Sequence, residues 1–151
     1  IAESRDAITW LAAQDSVDAG RLSVVGSSLG GILALMTAAE DERLRVVALA
    51  AAGDLPDHTP YASFVRGLVN PLRAVERMAG RPLLLVNGRR DTTTRPAQAQ
   101  RLFDAAREPK TLHWYEGGHW PPASAIAMAA RWTVEQLHAT AAPPARSRRT
   151  G

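Results

Sequence analysis

A chain of 151 residues with 46% apolar residues has the size of one domain and enough apolar material for a core. Three of its 18 basic residues are arginines in the segment 141–151, which has no acidic residue, and the remainder is balanced at 15 basic and 15 acidic side chains. This balance excludes a basic footprint for nucleic acid, and the lack of cysteine excludes disulfides and thiolate metal sites.

The first predicted element is an amphipathic helix near the start of the chain. Ser4 is a residue type that caps helix N-termini, and the apolar positions that follow share one helical face. We expect this helix to begin after Ser4 and to end near Gln14.

A short β-branched run then meets a glycine-serine turn, in the stretch 21–39 that reads RLSVVGSSLGGILALMTAA. Residues 22–25 fit a buried strand, and residues 32–39 continue as an apolar helix. The turn between them has the form G-x-S-x-G, which in this context projects a serine hydroxyl above the sheet edge. Ser28 is therefore the candidate nucleophile, because Ser27 is not centred on the motif.

The same turn predicts a site for an oxyanion. A helix N-terminus directs free N–H groups and the positive end of the helix dipole at one spot. The Leu29 N–H is therefore a candidate oxyanion donor. In so tight a turn, we expect a Cβ at either Gly26 or Gly30 to collide with neighbouring backbone.

Three more strands and several helices follow this turn. Apolar runs at 45–50 and 82–87 predict two of these strands, and the segment 110–115, which reads KTLHWY, predicts the last. One or two short helices, divided at Pro71, fit between the first two runs, and Pro96 opens a further helix before the last helix of the chain. This alternation predicts an α/β fold, a parallel sheet of about four strands with flanking helices, in which the strands lie side by side in chain order.

Three reactive side chains follow the carboxyl ends of predicted strands: Ser28, Asp91 and His119. In a parallel sheet these ends share one edge, where ligands bind. The chain order Ser, Asp, His is that of the α/β-hydrolases. In this interpretation His119 removes the proton of Ser28, and Asp91 holds the imidazole in the required tautomer.

From about Ser4 to Leu137 the chain resembles the carboxyl-terminal half of an α/β-hydrolase. The resemblance rests on DAITWLAAQ, VVGSSLGG, PLLLVNGRRD and YEGGHWPP, and it is strongest toward small serine esterases and the dienelactone-hydrolase-like or prolyl-oligopeptidase-like branch. It implies a serine hydrolase that cleaves a small carboxylic ester or a related acyl bond through an acyl-enzyme, with no cofactor or metal. Ser28 stands where dienelactone hydrolases have cysteine.

Members of this superfamily carry about four strands and a helix before the nucleophile strand, and a loop there supplies a second oxyanion N–H. None of that is expected within these 151 residues. The alternative hypothesis is therefore a non-catalytic or truncated fragment that needs its amino-terminal half.

Several neighbouring residues admit a second interpretation. Asp54 also follows a strand and is the alternative acid, whereas His113 lies within a strand and is expected to be a packing residue. Trp120, beside the candidate base, can line a substrate pocket or only cover the core. Arg89 and Arg90 can contact an anionic substrate or remain solvated.

Residues 1–140 are thus predicted to form a partial α/β-hydrolase domain, and 141–151 a disordered tail rich in proline, serine and arginine. No apolar run approaches a membrane span, so no membrane partner is expected, and no signal peptide is visible. The absence of a signal peptide means little here, and the location is left unknown with the cytoplasm favoured. The strand at 22–25 becomes a sheet edge that is apolar on both faces, which predicts self-association there.

Overall fold

The computed structural model describes residues 1–56, 62–78 and 80–140, so the predicted tail at 141–151 lies outside the described residues. The strands are β1 (Leu22–Ser27), β2 (Leu44–Ala50), β3 (Leu83–Gly88) and β4 (Lys110–Tyr115). The helices are α1 (Ala2–Ala12), α2 (Leu29–Glu40), α3 (Ala62–Leu68), α4 (Pro71–Glu76), α5 (Pro96–Ala105) and α6 (Ala123–Thr140).

The four strands form one parallel sheet in the order β1-β2-β3-β4, which confirms the predicted architecture and strand order. Val25 pairs in register with Ala48, and Leu49 with Leu85. Because all strands run in the same direction, their carboxyl ends share one edge of the sheet. The segments that follow β1, β2, β3 and β4 therefore meet at that edge.

Helices cover both faces of the sheet. On one face, α2, α4 and α5 pack on a core that includes Leu35, Leu49, Leu85 and Leu102. On the other face, α6 covers a smaller cluster around Leu84, Val86 and Tyr115. The side chains of β3 are buried on both faces, whereas Val25 of β1 is 65% exposed.

The predicted division of two short helices at Pro71 and the predicted helix start at Pro96 are right, whereas the predicted start at Ser4 is wrong. Pro71 and Pro96 each occupy the first turn of a helix, and the Asn70 side chain caps α4 by accepting from the Arg73 N–H at 3.1 Å. Ser4 does not cap α1, because that helix begins at Ala2 and its N-cap makes no side-chain hydrogen bond. None of the helices in the described ranges combines the length and apolar character needed to cross a membrane.

Candidate active site

Ser28 is the single residue that connects β1 to α2, since β1 ends at Ser27 and α2 begins at Leu29. Its backbone has φ 54° and ψ −122°, which is rare for a residue with a side chain. Such a conformation persists only where the surroundings impose it, and the Ser28 N–H donates to the Ala50 carbonyl of β2 at 2.9 Å. The turn thus holds the hydroxyl at the carboxyl edge of the sheet.

Two glycines allow this strand and helix to approach closely. A Cβ on Gly26 would lie 2.3 Å from the carbonyl oxygen of Gly30, and one on Gly31 would lie 2.8 Å from the Ala52 Cβ. By contrast, a Cβ on Gly30 would meet no atom within 4 Å, so the predicted collision there is wrong. The close contact is made by the backbone of Gly30, while its own Cβ direction is open.

The structure brings Ser28, His119 and Asp91 together in one hydrogen-bonded chain. His119 Nε2 lies 2.9 Å from Ser28 Oγ, and His119 Nδ1 lies 2.8 Å from Asp91 Oδ2. The Asp91 side chain is fully buried and that of His119 is only 16% exposed. Low exposure limits competition from water for these hydrogen bonds.

The Asp91 carboxylate is held on its other oxygen by the loop that follows it. Asp91 Oδ1 accepts a hydrogen bond from the Thr93 N–H at 2.8 Å and another from the Thr94 N–H at 2.9 Å. Both carboxylate oxygens are therefore engaged, which fixes the carboxylate relative to His119. Neither threonine was predicted as a site residue; the run of three threonines directly after Asp91 is the only sequence signal for them.

The loop that carries His119 is fastened to the ends of β3 and β4. The Tyr115 hydroxyl donates to the Gly118 carbonyl at 2.9 Å, and the Arg90 N–H donates to the Gly117 carbonyl at 2.9 Å. Burial raises the pKa of Tyr115, and the negative charge of Asp91 adds to this effect. Tyr115 therefore stays protonated and remains a donor over the physiological pH range.

A cavity of about 200 Å³ opens beside the candidate nucleophile. Ser28 and Leu29 line it together with Ile32, Ala52, Gly53, Asp54, Leu55, Pro56, Thr93, Thr94 and Gln98. Leu29 is the first residue of α2, so its N–H has no acceptor within the helix. Its position at the cavity agrees with the location expected of an oxyanion donor.

Asp54, the alternative acid, is buried and engaged elsewhere. It accepts from Arg66 Nη1 at 2.8 Å and from Arg101 Nε at 3.1 Å. Burial opposes ionisation of Asp54, but hydrogen bonds from Arg66, the Leu55 N–H and Arg101 outweigh it and lower its pKa. The imidazole of His119 is paired with Asp91 instead.

Trp120 lies next to His119, the candidate base, but outside the Ser28 cavity. Its ring meets His119 edge-on, with 5.6 Å between ring centroids, and its side chain is 80% exposed. It lines a separate apolar groove of about 650 Å³ between β1 and α6, here called the β1–α6 groove. A substrate contact by Trp120 stays a prediction.

The remaining candidates have partners within the protein or lie away from the reacting groups. Arg89 pairs with Glu116 at 3.1 Å and lies over the Trp114 ring at 5.7 Å, so its guanidinium faces protein groups. His113 is half-buried within β4, in register with Val86. Among the residues that the structure describes, no three His, Asp or Glu side chains are grouped so as to hold a metal ion.

Comparison with solved structures identifies the same fold in esterases and a peptidase. Acetyl xylan esterase 1 from Thermoanaerobacterium sp. matches with a TM-score of 0.74 and 20% identity, over 89% of this chain and 51% of that one. A Rhodothermus marinus esterase domain matches with a TM-score of 0.67 and 27% identity, over 91% and 66%. A puromycin-hydrolyzing peptidase of Mycobacterium tuberculosis matches with a TM-score of 0.75 and 21% identity, over 91% and 24%.

Sequence comparison shows the family. An uncharacterized protein of Mycobacterium tuberculosis is 32% identical over 130 residues, which are 80% of this chain and 46% of that protein. The chain thus spans about half the length of the curated relatives it matches. The model of the serine hydrolase (FSH1) family matches residues 8–130. The chain therefore belongs to the serine hydrolase (FSH1) family, within the α/β-hydrolase superfamily.

Proposed function

We propose that this chain carries the catalytic triad of a hydrolase that cleaves a carboxylic ester through an acyl-enzyme. Ser28 is the nucleophile, His119 the general base and Asp91 the group that orients it. The single observation that supports this most is the continuous hydrogen-bonded chain Ser28–His119–Asp91, with contacts of 2.9 and 2.8 Å.

In the first half of the proposed reaction, Ser28 Oγ attacks the ester carbonyl while its proton passes to His119 Nε2. The resulting oxyanion accepts a hydrogen bond from the Leu29 N–H, and Asp91 stabilises the imidazolium of His119. The C–O bond to the leaving alcohol then breaks, and His119 returns its proton to that alcohol. The product of this half is an ester between Ser28 and the acyl group.

In the second half, water attacks the acyl carbonyl and gives a proton to His119. The bond between the acyl carbon and Ser28 Oγ breaks, His119 returns the proton to Ser28, and a carboxylic acid leaves. Atoms and charge balance without a cofactor.

The cavity beside Ser28 and the activities of the matched proteins both bear on the substrate class. Two of the three solved structures described above are esterases and one is a peptidase, so an ester is the first choice and an amide the second. The cavity beside Ser28 has about 200 Å³ and an apolar side formed by Leu29, Ile32, Ala52 and Leu55, which fits a short acyl group.

A second hypothesis is that the described part works only with a complementary amino-terminal half. In the described residues, no strand pairs with the outer edge of β1. Apolar grooves flank β1 on both faces: the β1–α6 groove of about 650 Å³, and one of about 370 Å³ between β1, α1 and α2. If a second oxyanion donor comes from that half, its loss alone costs about 100- to 1000-fold in rate.

The test of the triad combines ester hydrolysis with covalent labelling by a fluorophosphonate. We expect Ser28→Ala to abolish labelling and to lower turnover on the order of 10⁶-fold, as in proteases built on the same three groups. Ser27→Ala is the matched control, since Ser27 is the exposed last residue of β1 and directly precedes Ser28. Labelling of the Ser28→Ala variant at the wild-type rate would refute Ser28 as the nucleophile.

Turnover of this chain beside that of a version extended at its amino terminus separates the two hypotheses. Activity in the longer form alone supports the complementary half, whereas equal rates in both show that the 151 residues suffice.

A further inference from the structure

At the carboxyl end of β2, three consecutive backbone carbonyls accept hydrogen bonds from three different parts of the candidate site. They belong to residues 50–52, here called the 50–52 segment. Their donors, in order, are the Ser28 N–H at 2.9 Å, the Thr94 hydroxyl at 2.9 Å and the Asn87 side-chain amide at 3.0 Å. One short stretch of backbone is therefore bonded to the nucleophile turn, the loop after Asp91 and the end of β3.

The backbone conformation of Ala51 explains why these carbonyls have different partners. Ala51 has φ 47°, in the left-handed region that residues with a side chain seldom adopt. Its side chain is fully buried and its N–H donates to the Val86 carbonyl at 2.9 Å. A strained, buried residue persists where surrounding bonds determine its conformation, and the 50–52 segment has such bonds.

Thr94 is the residue that joins this segment to the acid. Its backbone N–H donates to Asp91 Oδ1 at 2.9 Å, while its hydroxyl donates to the Ala51 carbonyl at 2.9 Å. Asp91 in turn binds His119, and the next carbonyl back along the chain, that of Ala50, holds the Ser28 N–H. Ser28 and Asp91, the two ends of the hydrogen-bonded series Ser28–His119–Asp91, are thus also connected through the Thr94 side chain and the 50–52 segment.

We propose that Thr94 is a positioning residue whose hydroxyl keeps the Asp91–His119 pair in register with Ser28. The proposal rests on the proposed function for its catalytic consequence, but its structural part is independent of turnover. Without the hydroxyl, the loop after Asp91 is no longer tied to the 50–52 segment, and the carboxylate can shift relative to the nucleophile turn. A displacement of about 1 Å in such a site can cost about 100-fold in rate.

The test compares Thr94→Val, which replaces the hydroxyl by a methyl group, with Thr94→Ser, which retains the hydroxyl. Thr92→Val is the matched control, because Thr92 is exposed and its side chain makes no hydrogen bond shown in the structure. Three readouts are used: the low-field NMR resonance of His119 Nδ1–H, the rate of fluorophosphonate labelling and the thermal midpoint.

We expect Thr94→Val to shift or broaden the His119 resonance and to slow labelling about 10- to 100-fold, while Thr94→Ser and Thr92→Val stay near wild type. If Thr94→Val does not fold, Thr94→Ala removes the hydroxyl without adding a methyl group in its place. An unchanged resonance and labelling rate in the hydroxyl-free variant, even with a lower thermal midpoint, would overturn the proposal.

The outcomes for the two proposals can be told apart. If the wild-type chain shows the resonance but is not labelled, the proposed function fails for this chain. The resonance of the Thr94 variants then decides the positioning role by itself.

Discussion

The carbonyl oxygen of Gly118 occupies the place that a side chain on Gly88 would need. A Cβ on Gly88 would lie only 2.2 Å from that oxygen and 2.6 Å from the carbonyl oxygen of Gly117. Gly88 ends β3, shortly before Asp91, and Gly118 directly precedes His119. The lack of a side chain at Gly88 therefore lets the loop that carries His119 reach Asp91.

Gly88→Ala is expected to push this loop away and separate His119 from Asp91. The obstruction is backbone, so relief requires a main-chain shift; we expect a loss of about 1–3 kcal/mol in unfolding free energy and about 100-fold in labelling rate. Gly30→Ala is the control, because a Cβ there meets open space. Equal labelling of the Gly88 and Gly30 variants would contradict this account.

Tyr115→Phe tests the other fastening of the same loop. Loss of the hydroxyl leaves the Gly118 carbonyl without this donor, at a cost of about 1 kcal/mol. Burial raises the pKa of Tyr115 above 10.0, so the unfolded chain ionises first as the pH rises. The stabilisation from the protonated tyrosine is complete below about pH 10 and is lost above it.

Urea unfolding between about pH 8 and about pH 11 measures this difference. The wild-type chain should lose more stability than Tyr115→Phe over the alkaline part of that range. Parallel curves for the two proteins would show that Tyr115 titrates alike in the folded and unfolded states.

Local sequence patterns predicted most of the fold. The run 110–115 is a strand with the predicted bounds, Pro71 divides two short helices and Pro96 begins a helix as expected, since strand pattern and proline geometry act over a few residues. The predicted start at Ser4 was wrong because α1 begins at Ala2, with Ile1 as its N-cap and no side-chain cap. The Ala2 start leaves Glu3 in the first turn, where the helix dipole favours an acidic side chain.

The candidate site was predictable only where a motif or a reactive side chain marks it in the sequence. The motif around Ser28 and the strand-end positions of Asp91 and His119 placed three side chains at one edge. Which glycines are needed depends on the atoms of a second element: the Ala52 Cβ for Gly31 and the Gly118 carbonyl for Gly88. Carbonyl acceptors such as those of the 50–52 segment have no sequence signature at all.

Asp54→Asn is expected to destabilise the fold without removing Asp91, the proposed acid. The Asp54 side chain is 2% exposed and binds two arginines that are 31% and 35% exposed, and losing hydrogen bonds between charged groups costs about 1.5–3 kcal/mol. The hydrogen bonds lower the pKa of Asp54 below 3.8 despite its burial. Its contribution is therefore present above about pH 3.8 and is lost as the pH falls through the folded-state value.

Unfolding free energies at neutral pH and near pH 3 test this sign, with Asp6→Asn on exposed α1 as the control. The gap between wild type and Asp54→Asn should narrow in acid, while the control follows wild type throughout. A gap that widens in acid would show that the ionised carboxylate is not the stabilising form.

The outer edge of β1 is a candidate site of self-association. In the described part of the chain no strand pairs with it, and Val25 is 65% exposed in the β1–α6 groove. An unpaired apolar strand edge is a template for association with another chain. We therefore expect this chain to self-associate as its concentration rises.

Val25→Lys places a charge at this edge and should shift the protein toward monomer, because burying an unpaired ammonium against a second chain is unfavourable. Gln100→Lys adds the same charge at an exposed position of α5, a helix that packs against β3 and β4. This variant should associate like wild type. Sedimentation velocity over a wide concentration range gives the oligomer fraction of each protein. Wild type that stays monomeric throughout would rule out this edge as an association site, and equal association of both lysine variants would place the contact elsewhere.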